Sequence, residues 1–241
     1  MEILHKFSVG RSGCPVSLIE YHGHTAVLKQ NLKNVDKILE LNYNMDLPTP
    51  KIYEHTETSI TMEYINGISI KTYLEQADKE DIHRLIDYIT SYFDFAVMRS
   101  SPKEFRSFME QKVKSLEPYG VNIPINKTNL LSGIVHGDFT FDNIIYSDGK
   151  FVMIDLSPSE HCGIHFDANK LRQDLTGHWF IRNEINTTNT TMACDIIYAE
   201  LKKDFSFLFD DDLYRFMFAR VLPYCQSEEE RDFIRNAVCK L

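Results

Sequence analysis

The sequence predicts an α+β fold in two lobes, a small β-rich N-terminal lobe followed by a mostly helical C-terminal lobe. Three observations predict it. Short apolar runs separated by glycine-bearing turns occupy residues 3–65. From residue 70 the apolar spacing changes to that of helices. A single Asp148-Gly149 hairpin signal interrupts the helical part. A chain of 241 residues can bury a core in one large domain or two small lobes, and we place the lobes at 1–66 and 67–241.

The elements follow in order. Residues 3–9 and 15–20 read as short strands around the tight turn Gly10-Arg11-Ser12-Gly13. Tyr21-His22-Gly23-His24 is a second turn and residues 25–29 a third strand, so the three make an antiparallel meander. Residues 32–43 put Leu32, Val35, Ile38, Leu39 and Asn42 near one face, which is helical spacing. Leu47-Pro48-Thr49-Pro50 stops that helix, because proline has no amide hydrogen to continue it. Strands at 51–54 and 59–65 come next, closed by Asn66-Gly67. Residues 70–76, 79–98 and 102–117 read as helices, the last opened by Ser101-Pro102. Residues 143–146 and 151–154 form the hairpin. Residues 166–177, 191–206, 210–222 and 227–239 are again helical, and the acidic run Asp210-Asp211-Asp212 suits a helix N-terminus. Tyr92, Phe93 and Phe95 read as helix packing rather than as an aromatic box for a cation.

Composition narrows the function classes. Hydrophobic residues at 43% and charged residues at 25% exclude a disordered chain. A net charge of −9 argues against nonspecific nucleic-acid binding, which draws on lysine and arginine. The same charge gives solubility, and its field also favours a cationic substrate. Five cysteines, an odd number with no knuckle spacing, fit a reduced thiol set. The N-terminus lacks the features of a signal peptide, and no run approaches the ~20 apolar residues that span a bilayer. We therefore expect a cytoplasmic protein with no nucleic-acid partner and no membrane insertion; the oligomeric state is open.

The chemistry lies between residues 134 and 155. Ile134-Val135-His136-Gly137-Asp138-Phe139-Thr140-Phe141-Asp142-Asn143 sets an aspartate and an asparagine five positions apart, straight after an apolar pair. A second carboxylate, Asp155, follows Val152-Met153-Ile154 at the end of the hairpin's return strand. Phosphoryl transfer uses such a set. One carboxylate orients a hydroxyl and takes its proton, while an amide oxygen and a second carboxylate hold Mg²⁺ against the phosphates. Asp142 reads as facing solvent or substrate. His161, His165 and His178 with Cys162 fit no zinc knuckle.

His136-Gly137-Asp138 with Asn143 resembles the catalytic loop of the aminoglycoside phosphotransferase and choline kinase family. The resemblance runs in order from about residue 8 to about residue 177. It implies a protein-kinase-like bilobal fold whose first lobe binds the nucleotide. It implies ATP and Mg²⁺ as cofactors, Asp138 as catalytic base, Asn143 and Asp155 as metal ligands, and His136 as a brace of the loop. Lys29 matches the strand lysine that neutralises the nucleotide phosphates, and Gly10 and Gly13 match the phosphate-covering turn in position. Met62, Glu63, Tyr64 and Ile65 are similar to the hinge whose backbone meets adenine. The helix acid that pairs with Lys29 is Glu40 or Asp36, which lie one turn apart on the same face; we favour Glu40 for its reach. In His165-Phe166-Asp167-Ala168-Asn169-Lys170-Leu171 the resemblance implies that Asp167 buttresses the catalytic loop, and the Asp-x-x-Lys-Leu pattern hints at surface-glycan synthesis.

Two features depart from protein kinases: Gly137 stands where they usually carry arginine, and Leu156-Ser157 follows Asp155 in place of Phe-Gly. The expected activity is transfer of the γ-phosphate of ATP to a hydroxyl of a sugar, glycan precursor, amino alcohol or aminoglycoside. A protein Ser/Thr kinase, a noncatalytic nucleotide-binding regulator and an adenylyl transferase are the alternatives. The joint presence of Lys29, Asp138, Asn143 and Asp155 speaks against the regulator.

Overall fold

The computed structural model describes residues 2–7, 13–185 and 187–239. Strands β1 (Glu2–Lys6), β2 (Val16–Tyr21) and β3 (His24–Lys29) form the expected antiparallel meander. His22 and Gly23 close β2 onto β3 at φ 50° and 81°, the pair of left-handed residues that suits the twist of a two-residue hairpin. Ile19, Ala26 and Leu28 form a small apolar cluster on one face of the strands. Helix α1 (Val35–Asn44) buries Val35 and Leu41. Strands β4 (Ile52–His55) and β5 (Ile60–Glu63) complete a five-stranded sheet in the order β1-β2-β3-β5-β4. Gly10 lies outside the described residues. Gly13 is described, at φ 73° with open space around it, so its backbone rather than crowding calls for glycine.

The rest of the chain is β6 (Ile68–Ser69), α2 (Ile70–Glu75), α3 (Lys79–Met98), β7 (Ser100–Glu104), α4 (Arg106–Lys114), β8 (Asn129–Gly133), β9 (Ile144–Ser147), β10 (Lys150–Met153), α5 (Ile164–Leu175), α6 (Thr188–Phe205), α7 (Asp211–Ala219) and α8 (Glu228–Cys239). Asp78 and Asp81 start α3 with reciprocal side-chain-to-backbone caps. The helix then buries Leu85, Ile86, Ile89, Tyr92, Phe93 and Ala96 along one stripe. Asp210 caps α7 by accepting from the Leu213 amide at 2.9 Å, as the acidic run predicts. In the β9–β10 hairpin, Asp148 and Gly149 take φ 49° and 76°, again as predicted.

Three strands, β6, β7 and β8, correct the sequence reading. The helix expected from residue 102 begins at Arg106, because residues 100–104 pair with residues 129–133 in an isolated two-stranded ladder. Both strands are edges, so Pro102 opposite Leu131 sacrifices little. Gly133 sits where a Cβ would meet the Ser100 hydroxyl at 2.8 Å, so the strands close only on glycine. The short β6, also unforeseen, adds to β9 beside Gly67, whose missing Cβ lets the Tyr146 carbonyl approach.

Helix α5 is the pivot of the helical part. Every residue of α5 except Lys170 is buried, including Asp167, Asn169, Arg172, Gln173 and Asp174. One large core joins α2, α3, α5, α6 and the hairpin; a second gathers residues of α4, α7 and α8 against Phe166 of α5. Among the described residues no helix is long and apolar enough to cross a membrane.

A buried histidine ties α5 to β8. His165 Nδ1 accepts from the Leu131 amide at 3.2 Å. Burial, helped by Lys127 and opposed by Asp210, lowers its pKa to about 4. The folded chain therefore resists protonating this ring, while the unfolded chain takes the proton near pH 6.5. Stability from this group is full above about pH 6.5 and falls as pH drops toward 4, by up to about 3 kcal/mol. His165→Gln should remove that slope. Urea midpoints measured from pH 7 to pH 4 for both proteins test it, and parallel curves would refute it.

Candidate active site

The loop from His136 to Asn143 is fixed from three sides. His136 is fully buried. Its Nε2 lies 2.8 Å from the Ile154 carbonyl, and its Nδ1 accepts from the Asp138 amide at 3.2 Å. That pattern assigns the Nε2–H tautomer. The Ser157 amide donates to the His136 carbonyl at 2.9 Å. Tyr92 of α3 accepts from the His136 amide at 2.8 Å and donates to Asp167 Oδ2 at 2.5 Å. Asp167 also accepts from the amides of Gly137 at 3.0 Å and Phe139 at 3.5 Å. Asp174, two turns along the same face of α5, accepts from the Phe141 amide at 2.8 Å. Burial raises the pKa of Asp167 and raises that of Asp174 well above the carboxylate range.

Gly137 takes φ 85°, and a Cβ there would run into the Ser157 carbonyl and meet the Cys162 sulfur at 2.8 Å. That is the physical reason glycine separates the histidine from the aspartate.

The sequence-predicted acids and amide meet around this loop. Asn143 Nδ2 donates to the Asp138 carbonyl at 2.8 Å, so the amide's oxygen is its remaining acceptor. The Asn143 carbonyl accepts from the Ile154 amide at 2.9 Å, which sets Asp155 one residue beyond a direct link to Asn143. Asp155 adopts φ 59°, a left-handed conformation costing about 1 kcal/mol or more. It presents an exposed carboxylate. Lys29, at the end of β3, reaches across to Asp155 Oδ1 at 2.6 Å. Met62 and Glu63 end β5, and Tyr64 and Ile65 continue beyond the ladder at its edge.

Glu40 is the correction. The ion pair of Lys29 is with Asp155, not with Glu40 or Asp36, both of which are exposed. Because α1 turns Val35 and Leu41 inward, Glu40 comes to line a shallow pocket with Lys37 and Asn44 instead.

Sequence reasoning missed Lys170. It pairs with the Asp138 carboxylate across the cleft. The signal was there: Lys170 follows Asp167 by three residues, which puts both on the loop side of one helix. Burial raises the pKa of Asp138, but the Lys170 ammonium against it, aided by His136 and Asn143, holds the carboxyl below its ordinary value. Beside this pair opens a cleft of about 330 Å³ lined by Phe108, Lys112, His161 and Arg220. Among the described residues no three His, Cys, Asp or Glu side chains group to hold a metal. One carboxylate and one amide oxygen nonetheless suit Mg²⁺, which takes few protein ligands and completes its shell with water and phosphate.

Fold and loop together define a kinase-like bilobal architecture. The chain is similar to a solved glucosamine kinase, with a TM-score of 0.62 at 10% identity over 93% of this chain and 75% of that one. It is similar to a thermostable mutant of aminoglycoside phosphotransferase APH(4)-Ia, with a TM-score of 0.56 at 10% identity over 98% of this chain and 94% of that one. A streptomycin–ATP ternary complex of APH(2")-IIa gives 0.52 at 11% identity over 98% and 90%. At such identities the likeness shows the fold. No family model matches the chain, and no curated protein matches its sequence.

Proposed function

We propose that this protein is an ATP-dependent small-molecule kinase, transferring the γ-phosphate to a hydroxyl. One observation carries the reading: Lys29 crosses from the sheet to Asp155, and Asp155 is hydrogen-bonded through its neighbour to the loop that holds Asp138 and Asn143. The similar structures lend support, since one is described as glucosamine kinase in complex with glucosamine, ADP and inorganic phosphate.

In this reading residues 1–66 form the nucleotide lobe, with Gly10 and Gly13 near the phosphates. Adenine lies against the backbone of Met62, Glu63, Tyr64 and Ile65. Lys29 holds the α- and β-phosphates. Asn143 Oδ1 and the Asp155 carboxylate would hold Mg²⁺, which would neutralise phosphate charge when bound. Asp138 accepts the proton of the acceptor hydroxyl. That oxygen forms its bond to the γ-phosphorus, the bond to the bridging oxygen breaks, and ADP leaves with the electron pair. Asp167, Tyr92 and Asp174 keep the loop in place, so that alignment costs little at the moment of reaction.

The test is ADP release from Mg-ATP against sugars, amino alcohols and aminoglycosides, with mass spectrometry of the products. An added mass of one phosphoryl group on one acceptor class is the expected result. An adenylylated product, or ATP binding without transfer to any member, would overturn the reading.

A further inference from the structure

The cleft beside Asp138 holds more positive charge than its catalytic carboxylate balances. Lys112 of α4, Lys170 of α5 and Arg220, just past α7, all line it. Lys170 is neutralised by Asp138. Asp167, at the cleft floor, is committed to Tyr92 and the loop amides. Among the described residues neither Arg220 nor Lys112 forms an ion pair with a carboxylate, although the Asp138 charge, already paired with Lys170, acts on Arg220 from a distance. The Arg220 guanidinium donates to the Met217 sulfur at 3.3 Å, a weak acceptor, and lies 5.4 Å from the Phe108 ring centroid and 5.7 Å from that of Phe216. Lys112 Nζ sits 5.9 Å from the Phe108 ring centroid.

A guanidinium has five donors, and the bond to the Met217 sulfur uses one of them, leaving the others for an oxygen acceptor in the cleft. Burial draws the Arg220 pKa down from the usual arginine value, a sign of desolvation. A planar fork of this kind is built for carboxylate or phosphate oxygens. Phe108 itself stacks on His161 at 4.3 Å and 11°, giving the cleft a flat aromatic wall.

We propose that the acceptor is an anionic hydroxyl compound, a sugar acid or sugar phosphate in class, whose carboxylate or phosphate is read by Arg220 and Lys112 while its hydroxyl meets Asp138. This rests on the kinase reading above. It reverses the preference for cations that the net charge of −9 suggests, because fields from distant surface charges are screened over about 8–10 Å of salt solution while two cleft cations act at contact. Bond making and breaking are unchanged: the acceptor oxygen bonds the γ-phosphorus, ADP departs with the bridging oxygen's electrons, and the proton passes to Asp138.

The experiment assays the full chain with saturating Mg-ATP on glucose, glucosamine, glucuronate and glucose 6-phosphate. Calorimetric binding of glucuronate and of glucose 6-phosphate to the ADP complex runs in parallel. One anionic sugar should exceed glucose and glucosamine in kcat/KM by about 30-fold or more, and which of the two does so tells carboxylate from phosphate. Arg220→Met keeps the apolar packing, removes the charge and should abolish that preference. Lys112→Met serves the same purpose if the first variant fails to fold. Preference for glucose or glucosamine with transfer intact would overturn this inference and leave the kinase reading standing. So would an Arg220→Met effect confined to the KM for ATP. Binding of an anionic probe that needs Arg220, with no transfer to these sugars or to the amino alcohols and aminoglycosides of the wider panel, would support the anion site and sink the kinase reading. Neither binding of an anionic probe nor transfer to any acceptor of either panel would sink both.

Discussion

Asp138→Asn should lower phosphoryl-transfer turnover by about a thousandfold, while Mg-ATP should still bind at least as tightly as to the parent protein. Asparagine keeps the shape of the side chain and cannot take the acceptor's proton. The binding half of the expectation comes from Lys170. Its ammonium is held against the Asp138 carboxylate, and removing the negative charge leaves a net positive site beside the cleft, which attracts the nucleotide's phosphates rather than repelling them. Single-turnover rates with calorimetry on the same preparation separate the two effects. A variant within tenfold of the parent rate would strip Asp138 of the role of base. Because Lys170 outweighs burial and holds the Asp138 pKa below its ordinary value, no loss of rate should trace to this carboxylate above the ordinary range of aspartate titration.

Gly137→Ala is the second large effect, and it acts on the loop rather than on the chemistry. A side chain at φ 85° costs about 1 kcal/mol. The Cβ also collides with the Ser157 carbonyl and approaches the Cys162 sulfur to 2.8 Å. Ser157 cannot retreat freely, since its own amide donates to the His136 carbonyl at 2.9 Å. We expect a loss of about 3 kcal/mol in urea unfolding, or a shifted loop with turnover down by about a hundredfold. Gly149→Ala is the control. Its φ is 76° with nothing within 4 Å, so it pays the backbone cost alone. Equal stability losses at the two sites would show that the loop has room to yield.

Elements whose signal is local were legible in the sequence. The His22-Gly23 and Asp148-Gly149 turns, the capped stripe of α3 and the acidic start of α7 each depend on a few neighbouring residues. The strands β7 and β8 were not, because Ser101-Pro102 fits a helix start as well as an edge strand. Only the partner strand at 129–133, where Leu131 faces Pro102 from 29 residues away, decides between them. The same division holds at the site. That Asp138, Asn143 and Asp155 come together was legible from spacing, because they lie in one hairpin-linked segment. Arg220 lies far along the chain, and no pattern connects it to the loop. The Tyr92 hydroxyl was hidden in an aromatic stripe that packs as predicted while its one polar atom bridges His136 and Asp167. Glu40 went the other way, since helical spacing put it on a plausible face and the register of α1 turned it outward.

The contact between Lys29 and Asp155 has a consequence for the order in which ligands exchange. Each side chain is the other's counterion, so a nucleotide that takes Lys29 strands a bare carboxylate, and a metal that takes Asp155 strands a bare ammonium. Arriving together, the two ligands trade one neutral arrangement for another. Magnesium and ATP should therefore enter as a cooperative pair, each tightening the other. The Asp155 side chain is 61% exposed, so the contact itself is worth about 1 kcal/mol or less. It works as a weak placeholder, holding sheet and loop in register across 126 residues of sequence and yielding without a barrier of consequence.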